Sequence, residues 1–136
     1  MEEEAYLDAN VFLYALLDTG AKGKRAAEIL QRVKDGASGG ATSALTFDEV
    51  FWKIKKQRSH QDAIRAAEAF LLFPNLRVIA VTPGVLSAAL ELLKKHDLGP
   101  RDAIHAACAA AAGIRTMVSD DADFDRIPTL KRKPIL

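Results

Sequence analysis

Two short runs of strand-forming residues each end in a carboxylate. Asp8 follows the run at 5–7, and the pair Asp120 and Asp121 follows closely on the run at 116–118. If both strands are central in a parallel sheet, their carboxyl ends meet at one edge and bring these acids together. The plainer interpretation is a helix N-cap, since Asp is favoured there and a helix begins soon after each strand. For either acid taken alone, the two interpretations are equally supported.

Two further acids lie on predicted helices. Asp102 comes two residues after Pro100, in the first turn of its helix, where a carboxylate interacts favourably with free backbone amides. Glu49 lies well away from the apolar arc of its own helix, and alone it resembles a solvent-exposed residue. Leu45 and Trp52 flank Glu49 on the same face, so that face is not simply polar.

A set of four converging carboxylates would repel strongly. Two like charges about 4 Å apart repel by roughly 4 kcal/mol at an effective dielectric constant of about 20, which is large against the stability of a small domain. A bound cation removes this cost, and oxygen ligands without His or Cys favour Mg²⁺ or Mn²⁺ over zinc. Metals held by carboxylates commonly serve phosphodiester hydrolysis, so convergence of Asp8, Glu49, Asp102 and Asp121 would indicate that chemistry.

The remaining titratable residues show no pattern that predicts chemistry. The three histidines lack metal-ligand spacing, such as the i, i+4 pair that binds zinc, and we interpret them as structural. Among them, only His105 is near a candidate acid. Asp18, Asp35, Asp48 and Asp62 resemble ordinary turn, cap or surface acids.

Short strand-forming runs alternate along the chain with longer helical patterns. Strands are predicted at 5–7, 41–43, 76–81 and 116–118, and helical patterns at 11–17, 26–33, 47–54, 63–71, 83–95 and 101–112. Residues 36–40 predict a loose connection. Strands separated by helices of about 10 to 15 residues imply parallel pairing through right-handed crossovers. We therefore expect an α/β fold, with a central parallel sheet of four to five short strands flanked by helices on both faces.

Length and composition favour one domain spanning residues 1–136. The chain has 136 residues, of which 49% are hydrophobic and 27% charged. A chain of this length buries a core that needs neither disulfides nor a structural metal. The single Cys108 has no partner within the chain and is compatible with a reducing compartment.

Charge and hydropathy bound the location and the partners. The start Met-Glu-Glu-Glu is the reverse of a positively charged secretory signal, and the first apolar run, at 11–17, is too short to span a bilayer. We therefore expect a cytoplasmic protein without a membrane partner. The 19 basic and 18 acidic residues nearly balance, so bulk charge alone indicates neither a nucleic-acid nor a membrane partner.

Four segments carry the candidate acids in order along nearly the whole chain. Residues 6–12 are Tyr-Leu-Asp-Ala-Asn-Val-Phe, and residues 42–50 are Thr-Ser-Ala-Leu-Thr-Phe-Asp-Glu-Val. Residues 101–107 are Arg-Asp-Ala-Ile-His-Ala-Ala, and residues 118–125 are Val-Ser-Asp-Asp-Ala-Asp-Phe-Asp. In this order and spacing they resemble the four motifs of the PIN-domain ribonucleases, and more closely those of the VapC-type toxin branch.

The resemblance implies roles for the candidate residues. Four acids would hold the metal directly or through water, and a fifth would support them: Asp8, Glu49, Asp102 and Asp121, with Asp123 as the fifth. Asn10 and Ser119 would orient the ligands or the substrate. Asp120 takes the variable position of the fourth motif, and the crowding of acids there leaves open whether Asp120 or Asp121 faces the metal.

The resemblance also implies an activity and partners. These are Mg²⁺- or Mn²⁺-dependent cleavage of single-stranded or structured RNA at an acidic pocket, a homodimer, and a small cognate antitoxin that inserts into the pocket groove. If a metal neutralises five of the 18 acids, 13 remain against 19 basic residues, an excess of about six positive charges that suits a phosphate backbone. We interpret Lys53, Lys55, Lys56 and Arg58 as a solvated helix face, and the basic residues at 131–133 as a tail, in preference to direct RNA contacts.

Two alternatives stay open on the sequence alone. A haloacid-dehalogenase-like phosphatase has a strand-end Asp, a later Thr or Ser and a terminal Asp pair in similar order, but a second Asp where this chain has Asn10. A degenerate PIN domain would bind RNA or a protein without cleaving. The presence of all four acids argues against the second alternative.

Overall fold

A five-stranded parallel sheet forms the centre of the structure, a computed structural model that describes residues 2–136. The strands are β1 (Glu2–Leu7), β2 (Ser38–Ser43), β3 (Leu76–Ile79), β4 (Thr116–Val118) and β5 (Lys131–Lys133). Their order across the sheet is β3-β2-β1-β4-β5, and every neighbouring pair is parallel. The central strands β1 and β4 therefore end side by side, as the carboxylate pattern requires.

Helices connect the strands, and four of the six α-helices begin after a hydroxyl or carboxylate N-cap. They are α1 (Ala9–Leu17), α2 (Ala21–Lys34), α3 (Ala44–Gln57), α4 (His60–Leu71), α5 (Pro83–Lys95) and α6 (Pro100–Ala111), and a short 3-10 helix spans Ala122–Arg126. The Ser59 hydroxyl accepts from the Asp62 amide, and the Thr82 hydroxyl accepts from the Val85 amide. The sequence predicts Ser59 and Thr82 as the N-caps of these two helices, and the structure confirms both.

Alternation along the central strands divides the core between the two faces of the sheet. Tyr6 of β1 and Met117 of β4 are fully buried against α5 and α6. Their neighbours Leu7 and Val118 point to the opposite face and pack with residues of α1, α2, α3 and α4. Successive side chains of a strand point to opposite faces, so one sheet carries helices on both sides. The predicted α/β fold is confirmed.

The C-terminal basic residues form a strand, so their interpretation as a tail was wrong. Lys131 pairs with Thr116, and Lys133 pairs with Val118, at the edge of the sheet. Arg132 makes a two-point ion pair with Asp125, at 2.9 and 3.1 Å. An edge strand tolerates charged side chains that reach solvent, and such a run lacks the apolar alternation that predicts a strand.

Glycines at 39 and 40 belong to β2, so the predicted loose connection ends earlier than expected. A Cβ on Gly40 would lie 2.6 Å from Val33 Cγ2 of α2, and one on Gly39 would lie 3.1 Å from the Glu4 Cα. Gly40 therefore lets α2 pack closely on β2, and Gly39 lets the β1 backbone at Glu4 come close. Within residues 2–136, no helix combines the length and apolar character needed to cross a bilayer.

Candidate active site

Asp8 lies at the end of β1, buried and fixed by three elements. Its backbone amide donates to the Val118 carbonyl of β4 across 3.1 Å. Its Oδ1 accepts from the Ala9 amide at 2.7 Å, so Asp8 is the N-cap of α1. Its Oδ2 accepts from the Ser119 hydroxyl at 2.6 Å. The helix-cap interpretation is therefore correct for Asp8, and it coexists with convergence of the acids.

Ser119 connects Asp8 to two neighbouring segments. Its oxygen accepts from Asn10 Nδ2 at 3.3 Å and from the Asp121 amide at 3.0 Å, while its own hydrogen goes to Asp8. Asn10 Oδ1 is buried and has no hydrogen-bond partner in the described part of the chain. A buried amide oxygen without a partner has room to accept from a further ligand.

A first group of titratable side chains brings three elements together. One ligand atom from each of Asp8, Glu49 and His105 lies within 4.8 Å of the other two. His105 Nε2 contacts Glu49 Oε1 and is 3.7 Å from Asp8 Oδ1. Burial raises the pKa of Asp8, and the Glu49 charge adds to the shift, whereas His105 and the Ser119 hydroxyl oppose it. Glu49 on α3 therefore faces Asp8, although its helix position alone resembled a solvated residue.

A second group holds the remaining candidate acids. Carboxylate oxygens of Asp102, Asp121 and Asp123 lie within 4.8 Å of one another. Asp121 accepts from the Asp123 amide at 2.9 Å and caps the 3-10 helix. Burial raises the pKa of Asp102 to about 7, with further increases from Asp121 and from the Asp8 charge. Because the negative charge of Asp8 contributes to the raised pKa of Asp102, we treat the two groups as one acidic site.

Asp120 points away from the acidic site. Its Oδ2 lies 2.6 Å from Lys22 Nζ, and its Oδ1 accepts from the Ile135 amide at 2.9 Å. Burial alone would raise the pKa of Asp120, but Lys22 and the Ile135 amide outweigh it, so this pKa lies below its ordinary value. Asp121, and not its chain neighbour, lies with the other acids.

The buried side of α3 differs from the apolar arc that the sequence predicts, which consists of Phe47, Val50, Phe51 and Ile54. Thr46, Val50 and Ile54 are the buried residues of this helix, whereas Phe47 is 37% exposed. Phe47 and Phe51 lie at the margin of the buried face, and Phe47 packs edge-on against Phe70 of α4. This rotation places Glu49, one turn after Thr46, beside the sheet edge.

Sequence reasoning missed two members of the site. Tyr6 places its hydroxyl oxygen 2.5 Å from His105 Nδ1, and both side chains are fully buried. The available signal was the i, i+3 spacing of Asp102 and His105, which puts both residues on one side of α6. We had interpreted His105 as structural because it lacks a metal-type partner on its own helix.

The donor set fits a hard divalent cation. Asp8 and Glu49 meet at His105, and Asp102, Asp121 and Asp123 meet one another, so five carboxylates lie in two adjoining groups. Burial and neighbouring acids raise the pKa of Asp8 and of Asp102. Oxygen ligands of this kind are preferred by Mg²⁺ and Mn²⁺.

A cleft of about 540 Å³ opens beside the acidic site. Asn10 and Tyr14 of α1 line it from one side, and Lys53 and Gln57 of α3 from the other. Lys22 Nζ lies 5.0 Å from the centre of the Tyr14 ring. The cleft therefore joins the acids, through Asn10, to an aromatic ring, an amide and a basic side chain.

Several solved structures of toxin-antitoxin proteins share this fold. VapBC2 from Rickettsia felis, bound to a promoter DNA fragment, aligns with a TM-score of 0.75 and 20% identity, over 96% of this chain and 98% of that chain. VapC20 from Mycobacterium tuberculosis, a toxin that cleaves the sarcin-ricin loop, aligns with a TM-score of 0.73 and 23% identity, over 89% of this chain and 92% of that chain. DNA-bound VapBC from Salmonella typhimurium gives 0.74 at 16% identity, over 100% of both chains. At these identities the likeness establishes the fold.

Sequence comparison identifies the family. No curated protein matched the chain by sequence. The family model of the PIN domain matches residues 5–130, which include all five candidate acids. This match confirms the resemblance of the four motifs and does not support the haloacid-dehalogenase-like alternative. The chain therefore belongs to the PIN-domain family.

Proposed function

We propose that this PIN domain is a metal-dependent endoribonuclease and acts as the toxin of a VapBC-type toxin-antitoxin pair. The observation that carries the proposal is the convergence of five carboxylates from four chain segments at the carboxyl end of the sheet. A domain of marginal stability does not maintain such repulsion without a compensating role. Metal-assisted hydrolysis of a phosphodiester is the role that this donor set fits best.

In this proposal Asp8, Glu49, Asp102 and Asp121 hold Mg²⁺ or Mn²⁺, and Asp123 supports them. When bound, such a cation lowers the pKa of water and stabilises the negative charge that develops on the phosphate. The pKa of Asp102 is about 7, and a cation held there would favour its carboxylate form, because a nearby positive charge stabilises the ionised group. Ser119 and Asn10 keep the Asp8 carboxylate in one orientation.

The cleft beside the acids is the proposed path of the RNA substrate. Lys53 offers positive charge to a phosphate backbone, and Tyr14 offers a ring face near unpaired bases. This assignment revises the interpretation of Lys53 as part of a solvated face. Lys55 and Lys56 do not line the cleft, so they retain that interpretation.

The partners follow from the same comparison. The similar structures from Rickettsia felis and Salmonella typhimurium are VapBC complexes bound to DNA. By analogy we propose a small cognate antitoxin that blocks the pocket groove, a homodimeric toxin and a cytoplasmic location, where such an enzyme meets RNA. Inducible expression in a bacterial host tests the toxin role. Growth arrest that disappears in Asp8→Asn supports this role, and equal growth of both strains contradicts it.

Cleavage of a mixed RNA panel tests the enzymatic proposal. The purified protein is assayed with Mg²⁺, with Mn²⁺ and with EDTA, beside Asp8→Asn. We expect metal-dependent cleavage by the wild-type protein and no cleavage by the variant at equal folded concentration. RNA binding without cleavage under every condition would instead identify a binding module, the alternative left open by the sequence.

A further inference from the structure

A chain of three polar side chains, two of them fully buried, leads from the core to the acidic site. Tyr6 of β1, His105 of α6 and Glu49 of α3 are joined in that order through the two ring nitrogens of His105. We propose that Tyr6 and His105 form a positioning pair that fixes the Glu49 carboxylate opposite Asp8. The inference rests on the proposed metal-dependent function, because it concerns the same acidic site.

The pair is rigid because its surroundings leave no freedom. Both side chains are 0% exposed, and their rings meet edge to face with centroids 5.5 Å apart. His105 lies in an alanine-dense helix whose buried face packs on the sheet, so its ring is held between β1 and α3. A ring held in this way presents Nε2 in one direction only.

Hydrogen-bond chemistry assigns the direction of the chain. An ionised Glu49 carboxylate only accepts, so His105 Nε2 carries the hydrogen that lies between them. In a neutral imidazole the other nitrogen then accepts, and Nδ1 receives the Tyr6 hydroxyl hydrogen at 2.5 Å.

Glu49 needs such a partner more than Asp8 does. Asp8 is fixed by the Ser119 hydroxyl and the Ala9 amide, one bond to each oxygen. Glu49 reaches the site on a longer side chain that is 20% exposed, and within residues 3–136 its hydrogen bond is the one to His105. Outer partners of this kind orient metal-binding carboxylates, and their loss typically costs 10- to 100-fold in metal affinity.

Nitrogen-15 NMR of the His105 ring tests the assignment directly. We expect hydrogen on Nε2 and an accepting Nδ1, both without metal and with Mg²⁺, and a shift of the Nδ1 signal in Tyr6→Phe. That variant removes one hydroxyl and retains the ring packing. Hydrogen on Nδ1 alone after Mg²⁺ is added would overturn the proposal, because His105 Nε2 would then be a metal ligand itself.

A double-mutant cycle on Mn²⁺ binding, measured by calorimetry, tests the action through Glu49. We expect His105→Leu and Glu49→Ala each to raise the Mn²⁺ Kd about tenfold or more, and the double variant to match Glu49→Ala alone. His105→Gln, which retains a donor, should recover most of the lost affinity, and Tyr6→Phe should shift the Kd in the same direction by less. His60→Gln, on the exposed start of α4, is the control.

Independent effects of His105→Leu and Glu49→Ala, multiplying in the double variant, would overturn the proposal. Thermal unfolding of every variant separates loss of fold from loss of metal, and Tyr6→Phe serves if His105→Leu does not fold. If the cycle shows coupling but no RNA is cleaved, the proposed function fails and the positioning pair stands. If RNA is cleaved and the cycle shows no coupling, only the positioning pair fails. Absence of Mn²⁺ binding in the wild-type protein contradicts both.

Discussion

Ser119 donates its hydroxyl hydrogen to Asp8 Oδ2 across 2.6 Å, although 111 positions separate the two residues. The bond exists because β1 and β4 are parallel neighbours that end together. Ser119→Ala should therefore weaken Mn²⁺ binding by about 10- to 100-fold, since Asp8 loses the donor that orients it. Titration calorimetry at neutral pH measures this change.

Ser59→Ala is the matched control for Ser119→Ala. Ser59 also uses its hydroxyl within the fold, as the N-cap of α4, but it lies outside the acidic site. We expect a loss of about 1 kcal/mol in the free energy of unfolding and an unchanged Mn²⁺ Kd. Equal effects of the two substitutions on the Kd would show that the Ser119 bond serves folding alone.

Asp102 should make the metal-free protein less stable as pH rises. Its pKa is about 7 in the folded state and about 3.8 when unfolded, so between these values the folded state binds more protons. The stability that this proton provides is fully present below pH 3.8 and is lost as pH rises through about 7. After discounting for solvent screening of a partly exposed group, we expect a loss of about 1 to 2 kcal/mol.

Urea unfolding in EDTA, at several pH values from 4 to 8, measures the Asp102 effect. Asp102→Asn should flatten this part of the profile and make the metal-free protein more stable than wild type at pH 8. Mg²⁺ should restore the free energy of unfolding of the wild-type protein at pH 8, and it should increase that of Asp102→Asn by less. If the stability of the wild-type protein instead rises between pH 5 and 7, and Asp102→Asn gives the same profile, the repulsion inferred at Asp102 is contradicted.

Lys53 should contribute one ionic contact to RNA binding. In an Asp121→Asn background, in which we expect cleavage to be about 100-fold slower or more, Lys53→Gln should weaken RNA binding. It should also reduce the slope of log Kd against log salt concentration by about 0.7 for a single strand. Lys55→Gln makes the same charge change on the same helix outside the cleft, and it should alter binding much less. Fluorescence anisotropy at several salt concentrations measures both variants. Identical slopes for the two would remove the cleft as the path of the RNA.

Most of the fold was predictable because its signals are local. Caps such as Ser59 and Thr82, and the apolar run at 116–118, mark element boundaries within a few residues of the chain. β5 was not predictable in this way, because three charged residues form a strand only through the neighbouring edge of β4. Its existence depends on tertiary pairing, and no local pattern encodes it.

The candidate site was predictable to the extent that parallel strands end at one edge. That rule places Asp8 beside Ser119 and the fourth motif without any knowledge of the side chains. It does not choose between Asp120 and Asp121, because that choice depends on Lys22, nearly a hundred positions away, and on the Ile135 amide. His105 was missed for a similar reason, since its partners come from β1 and α3.

The most direct test of the metal-dependent ribonuclease compares two adjacent substitutions, Asp121→Asn and Asp120→Asn, in single-turnover cleavage of RNA with Mn²⁺. Asp121 lies in the acidic site, and Asp120 pairs with Lys22 outside it. We predict that Asp121→Asn slows cleavage about 100-fold or more, which corresponds to about 3 kcal/mol, and that Asp120→Asn retains a rate close to wild type. Equal losses in both variants, or a loss in Asp120→Asn alone, would contradict the proposed acidic centre.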